Sequence, residues 1–242
     1  MKFIIFDLDD TLLNGDCERD WSSFMINKGL LEETNHLSKI NKFDTEYRNG
    51  NLDFKEYSSY IQGPLKGKNQ DEVSSFLKEF IPSVIGKLSD DLTKKLLAEA
   101  RTADKVLIAS GSHDFLVKGF ADHFKIESSI GTPVEIKDNI FTGNLSGEPT
   151  FKEGKVKAVD SWCLKNNLKI SDSIFYSNHI INNIVMMHIK YRFKITRSKS
   201  LVPIFYQSLV FDNTHTSPYE EVRIFYCQQD HADMRDKYSF LL

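Results

Sequence analysis

The chain has 242 residues, 40% hydrophobic and 27% charged, with a formal net charge of −3. That length suits one sizeable core plus a smaller inserted unit, and the weakly acidic balance argues against nucleic acid as a partner. Cys17, Cys163 and Cys227 are far apart and in no C-x-x-C arrangement, and no apolar run approaches a membrane span, so a cytoplasmic protein with reduced thiols and no membrane partner is expected.

Residues Lys2 to Leu13 read KFIIFDLDDTLL. Phe3, Ile4, Ile5 and Phe6 make a short run of β-branched and aromatic residues, the pattern of a buried strand. Asp7, Asp9 and Asp10 follow at once, then Thr11. Residues two apart on a strand point to the same side, so Asp7 and Asp9 converge while Leu8 turns back into the core. Two carboxylates aimed at one spot call for a positive partner, and a hard, oxygen-seeking cation such as Mg²⁺ is the usual one. A strand followed by a solvated acidic turn is the plainer alternative.

Helical patterns follow as far as about Arg101. Trp21, Phe24 and Met25 share a face that Gly29 ends, and Leu37, Ile40, Phe43 and Tyr47 repeat it before Asn49-Gly50. Asp53 and Glu56 have the spacing of a capping box for a helix through Phe54, Tyr57 and Ile61, which Gly63-Pro64 ends. Val73, Phe76, Leu77 and Phe80 mark another helix. Ser89 is placed to cap a helix through Leu92, Leu96, Leu97 and Ala100, and Val106 to Ala109 is a second short buried strand.

Ser110-Gly111-Ser112 closes that strand just before a helical pattern through Phe115, Leu116, Phe120 and Phe124. A hydroxyl and free amides at a helix start suit a phosphate oxygen, and equally an ordinary N-cap. Val134 and Ile136, the turn Asp138-Asn139, then Ile140 and Phe141 give a hairpin signal. Phe151 to Val156, FKEGKV, opens a helix through Val159, Trp162 and Cys163. A lysine in a first turn opposes the helix dipole, so Lys155 is better placed to meet an anion than to stabilise the helix, unless it is a solvated surface lysine. Ser173 to Ser177 reads as one more buried strand.

The opening strand with its DxDxT string resembles motif I of the haloacid dehalogenase-like superfamily of phosphohydrolases. The later pieces come in that family's order: Ser110 matches the motif II hydroxyl, and Lys155 in EGKV matches the motif III lysine. YRNGNLDFKEY, PLKG and GEPTFKEGKV look like the phosphoserine phosphatase-like branch with its helical cap. The resemblance implies an α/β fold, with a three-layer Rossmann-like core and a mostly parallel sheet from residues 1–13 and 89–242, and an all-helical cap from residues 14–88. It also implies Mg²⁺-dependent hydrolysis of a small phosphorylated metabolite, a phosphomonoester, through an aspartyl-phosphate. Asp7 would be the nucleophile and Asp9 the general acid and base. Thr11, Ser110, Gly111 and Lys155 would surround the phosphate, and Asp7, Asp9 and the motif IV residue would hold the metal. Asp16, Glu18 and Arg19 lie where that branch places an acidic contact to substrate.

Beyond Ser177 the resemblance ends. The motif IV carboxylate is Asn178 here, in Tyr176-Ser177-Asn178-His179, and a carboxamide brings an oxygen without its charge. None of the twelve glycines follows Gly154. The basic stretch from Lys190 to Lys199 gives no clean period and reads as a solvated run, and His179, His188, His215 and His231 fit no metal-ligand spacing. Residues 178–242 are thus expected to form an atypical tail. Three explanations stand: a frame change near residue 178, a genuine divergent tail, or a family member that binds without catalysis.

Overall fold

The computed structural model describes residues 1–178, 191–197 and 221–227. Strand β1 (Phe3–Phe6) leads through a tight turn into helices α1 (Cys17–Asn27), α2 (His36–Arg48), α3 (Phe54–Gln62), α4 (Gln70–Leu88) and α5 (Asp91–Ala100). Strand β2 (Lys105–His113), helix α6 (Asp114–Phe124), strand β3 (Ser128–Thr132) and the hairpin β4 (Val134–Lys137) with β5 (Ile140–Leu145) come next. Helix α7 (Glu153–Lys165) and strands β6 (Ser173–Ser177), β7 (Tyr191–Arg197) and β8 (Glu221–Cys227) complete the described elements.

Six strands form one sheet in the order β3-β2-β1-β6-β7-β8, with every neighbouring pair parallel. Side chains alternate along β1 and so divide two cores. Ile4 and Phe6 pack with Trp21, Phe80, Leu92 and Phe120, while Phe3 and Ile5 pack with Val159, Cys163 and Phe175. Helix α7 therefore covers one face, and residues of α1, α3, α4, α5 and α6 join the cluster on the other, giving the expected three-layer α/β arrangement. The first core runs from β1 through α1 and α4 to α6, so helices between β1 and β2 share one apolar cluster with the sheet.

Strand order reverses at β1, with β2 and β3 on one side and β6, β7 and β8 on the other. Parallel α/β sheets open a crevice at such a switch point, beyond the C-terminal strand ends. The ends of β1, β2 and β6 meet there, carrying Asp7, Ser110 and Ser177.

Several local expectations shift. Helix α4 opens on an Asn69–Glu72 capping box and runs through Pro82 to Leu88. Ser89 closes that helix by donating its amide to Ile85 O, so Asp90 rather than Ser89 caps α5. Asp53 accepts from the amides of Lys55 and Glu56, but the Glu56 carboxylate turns to Lys42 at 2.7 Å, leaving half of the expected capping box. On α2, Ile40 and Phe43 face inward while Leu37 stays exposed.

Strand β2 continues through Ser110-Gly111-Ser112 to His113, where its register against β3 shifts. The two serines therefore lie on an irregular strand end, and α6 starts only at Asp114. Strand β3 was not expected. The stretch around residues 191–197, expected to lack a regular period, forms β7, and β8 pairs beyond it in parallel. His179, His188, His215, His231, Lys190 and Lys199 lie outside the described residues. Among the described residues no helix is long and apolar enough to cross a membrane.

Candidate active site

The turn after β1 fixes the first two carboxylates. Asp10 adopts a left-handed φ of 52°, Leu13 N donates to Leu8 O at 2.9 Å, and Asp10 N donates to Gly15 O at 3.1 Å. Asp7 is 7% exposed. Its Oδ1 accepts from Leu8 N at 3.0 Å and from Lys155 Nζ at 3.1 Å, and its Oδ2 accepts from Ser177 Oγ at 3.0 Å. Ser177 was read only as a strand residue. Its signal lay in the sheet register, because Tyr176 pairs with Phe6 and so sets the next residues of the two strands side by side.

Asp9 faces the end of β2. Its Oδ1 accepts from Cys17 N at 2.8 Å, and its Oδ2 accepts from Ser112 Oγ at 2.6 Å and Ser110 Oγ at 3.3 Å. Burial pushes its carboxyl up to about 6; hydrogen bonds from Cys17 and Ser112 oppose that rise and the charge of Glu18 adds to it. A carboxyl in that range can hold or give up a proton near neutrality. Ser112 was missed as a site residue, since it mattered only once β2 was seen to extend past Ser110.

Thr11 is fully buried and bridges to the end of β6, accepting from Asn178 N at 3.0 Å. Lys155 is 8% exposed on the first turn of α7. Its placement depends on Gly154, where a Cβ would lie 2.0 Å from Pro149 O. Gly111 is tied to the neighbouring strand by Thr132 Oγ1, which donates to its carbonyl at 2.7 Å. The structure thus gathers Asp7, Asp9, Thr11, Ser110, Lys155 and Asn178 at the strand ends, with Gly111 beside them.

The two weaker substrate candidates separate. Glu18 is buried, and both its oxygens are engaged by His113 and Tyr57. Arg19 pairs with Asp44 of α2 at 3.5 Å, with both side chains well exposed. Asp16 caps α1, its Oδ1 accepting from the amides of Glu18 and Arg19.

Tyr47 of α2 packs on Phe151, just before α7, at 5.5 Å between centroids, and Phe54 of α3 stacks on Phe151 at 5.8 Å. Partial burial, and then the charges of Asp7, Asp9, Asp16 and Asp10, push the Tyr47 phenol up to about 12, although the residue keeps 44% of its surface exposed. Lys152 Nζ donates to Gly50 O at 3.0 Å and fastens the α2–α3 turn to the loop before α7. A groove of about 830 Å³ along Leu30, Lys39, Phe43 and Tyr60 contains none of the residues gathered around Asp7.

Among the described residues no group of three or more His, Cys, Asp or Glu side chains stands ready to hold a metal ion. The Asp7 carboxylate and the Asn178 carboxamide nevertheless offer hard oxygens from adjacent strand ends, while the carboxylate of Asp9, the third expected ligand, turns its oxygens to Cys17, Ser110 and Ser112. That donor chemistry fits a cation such as Mg²⁺, with one formal charge fewer than an aspartate at residue 178 would bring.

The family model described as haloacid dehalogenase-like hydrolase matches residues 4–180. A protein of Neisseria meningitidis serogroup C named histidinol-phosphatase is 30% identical over 179 residues, covering 72% of this chain and 81% of its own. A solved protein of unknown function from Bordetella pertussis Tohama I superposes with a TM-score of 0.71 at 23% identity, over 81% of this chain and 90% of its own. A substrate-bound phosphoserine phosphatase structure superposes with a TM-score of 0.56 at 18% identity, over 80% and 85% of the two chains. The two structural likenesses concern the fold.

Proposed function

The chain belongs to the haloacid dehalogenase-like hydrolase family, and from that membership we propose that it is a phosphatase acting on a small phosphomonoester through an aspartyl-phosphate on Asp7. The observation that carries the proposal is the setting of Asp7, a buried carboxylate between the ammonium of Lys155 and the hydroxyl of Ser177 at the switch point of the sheet. An oxygen of Asp7 attacks phosphorus as the ester oxygen leaves on the opposite side. Lys155 faces the negative charge that nucleophile and phosphoryl group bring together.

Asp9, held by Ser110, Ser112 and the Cys17 amide, gives its proton to the departing oxygen. It then takes a proton from the water that attacks the aspartyl-phosphate, which restores Asp7 and frees phosphate. Thr11 keeps the β1 turn against β6, and Ser110 with Gly111 lines the phosphate site. Asp7 and Asn178 would hold Mg²⁺, which supplies further neutralisation of the phosphoryl oxygens when bound. The helical insertion acts as a cap, with Tyr47, Phe54 and Phe151 screening the reaction from bulk water.

The name of the Neisseria relative makes histidinol phosphate the first substrate to test, with phosphoserine the second. Asp16, exposed beside Asp9 at the start of the cap, suits an ester whose alcohol carries a cationic amine. Asn178 favours one other reading, a protein that binds phosphate esters without turnover. Phosphate release from histidinol phosphate, phosphoserine and p-nitrophenyl phosphate with Mg²⁺ separates the two: turnover supports the enzyme, and folded protein that binds but releases nothing overturns it.

A further inference from the structure

Glu18 on α1 is 3% exposed and His113 at the end of β2 is fully buried. The His113 amide donates to Glu18 Oε1 at 2.8 Å, the ring's Nδ1 meets the same oxygen, and the Tyr57 hydroxyl donates to Glu18 Oε2. On the far side of the ring, Nε2 meets Ser58 Oγ at 2.7 Å, and Ser58 Oγ accepts from Gln62 Nε2 at 2.6 Å. Five side chains from α1, α3 and β2 thus make one polar chain, buried at Glu18, His113, Ser58 and Gln62 and half-buried at Tyr57.

Its attachment point gives the chain a role beyond packing. His113 directly follows Ser112, whose hydroxyl holds Asp9 at 2.6 Å, and Ser112 N in turn donates to Ser110 Oγ at 3.1 Å. Glu18 therefore grips the backbone of the segment that orients the acid–base carboxylate. Neither Glu18 oxygen is left for a substrate. The Glu18 carboxyl is held below its ordinary range: burial opposes ionisation, but the charge and hydrogen bonds of His113 and the bond from Tyr57 outweigh it.

We propose that Glu18 and His113 act together as positioning residues, locking the Ser110–His113 end of β2, and through it Asp9, to helices α1 and α3; this rests on the phosphatase reading of the Asp7 site. Such a lock acts on every substrate alike, because it sets the acid–base group and touches no leaving group. It also assembles only when the insertion and the sheet are docked together.

The test compares wild type, Glu18→Gln, His113→Asn, the double variant and the milder Tyr57→Phe in Mg²⁺-dependent hydrolysis of p-nitrophenyl phosphate and phosphoserine. Glu18→Gln should lower kcat by about 10²-fold for both esters, as displacement of a catalytic group does, with KM little changed. The double variant should lose no more than the worse single one, as for members of one network. A rise in KM for one ester alone would make Glu18 a substrate contact, and losses that multiply would make the two residues independent; either overturns the proposal. If the Glu18 and His113 variants do not fold, Tyr57→Phe should still show a smaller loss confined to kcat, and unaltered kcat counts against the lock. Failure of the phosphatase reading shows separately, as a wild type that releases no phosphate. Crystal structures of wild type and Tyr57→Phe then decide positioning alone: the lock requires Ser112 to shift from Asp9, and an unchanged contact refutes it.

Discussion

Lys155 Nζ stands 3.1 Å from Asp7 Oδ1 across 148 residues of sequence, with both side chains 10% exposed. An ammonium brought that far to a buried carboxylate neutralises charge where a phosphoryl group would add more. Lys155→Met leaves Asp7 unpaired, and truncating one partner of a buried pair costs up to about 3–5 kcal/mol. The variant should melt at lower temperature and lose phosphate release by about 10² to 10³-fold, the range for removing one charge-stabilising group. Lys155→Arg should not restore activity, since a planar guanidinium does not fit a point-charge site. Parallel thermal melts and phosphate assays check both variants, and a Lys155→Met protein with near wild-type turnover would remove Lys155 from the mechanism.

Glu18 makes stability depend on acid. Its folded-state pKa lies below the ordinary value of 4.5, so its contribution is fully present above about pH 4.5 and is lost as pH falls through the lower folded value. Urea unfolding of wild type should therefore weaken more steeply below pH 4.5 than unfolding of Glu18→Gln, which has no such proton to take up. Parallel curves for the two proteins over that window would count against a paired, ionised Glu18.

Gly154 is fixed by space. An added Cβ would sit 2.0 Å from Pro149 O, so Gly154→Ala must displace the backbone that starts α7 and carries Lys155. Overpacking of this kind typically costs about 1–3 kcal/mol. Turnover should fall further than stability alone explains, because Lys155 moves with the helix start. Alanine tolerated with an unchanged melting temperature would show that the approach relaxes.

Asn178 should limit metal affinity. Asn178→Asp adds one carboxylate beside Asp7, and the extra charge should tighten Mg²⁺ by on the order of tenfold. Isothermal titration of both proteins measures this directly, and identical Mg²⁺ curves would place the cation away from residue 178.

Much of this site could be read from local patterns, and its gaps have physical causes. The apolar run Phe3 to Phe6 ending in Asp7 needed only strand periodicity, and Lys155 stood out because it opposes its own helix dipole. Strand β3, SSIGT, is short and polar and gains its place by pairing with β2, which no local pattern reveals. Residues 191–197 read YRFKITR, an alternation of apolar and polar residues that the basic charges obscured. Ser112 and Ser177 became visible only through strand ends set by register. The His113–Glu18 pair joins residues 95 apart, beyond the reach of any spacing rule.

The central claim is that Asp7 carries the phosphoryl group. Wild-type protein mixed with a radiolabelled phosphomonoester and Mg²⁺, then quenched in acid, should retain label that hydroxylamine releases, as an acyl phosphate does. Folded Asp7→Asn should retain none and should release no phosphate. Label held equally by Asp7→Asn, or turnover surviving in that variant, would contradict the account.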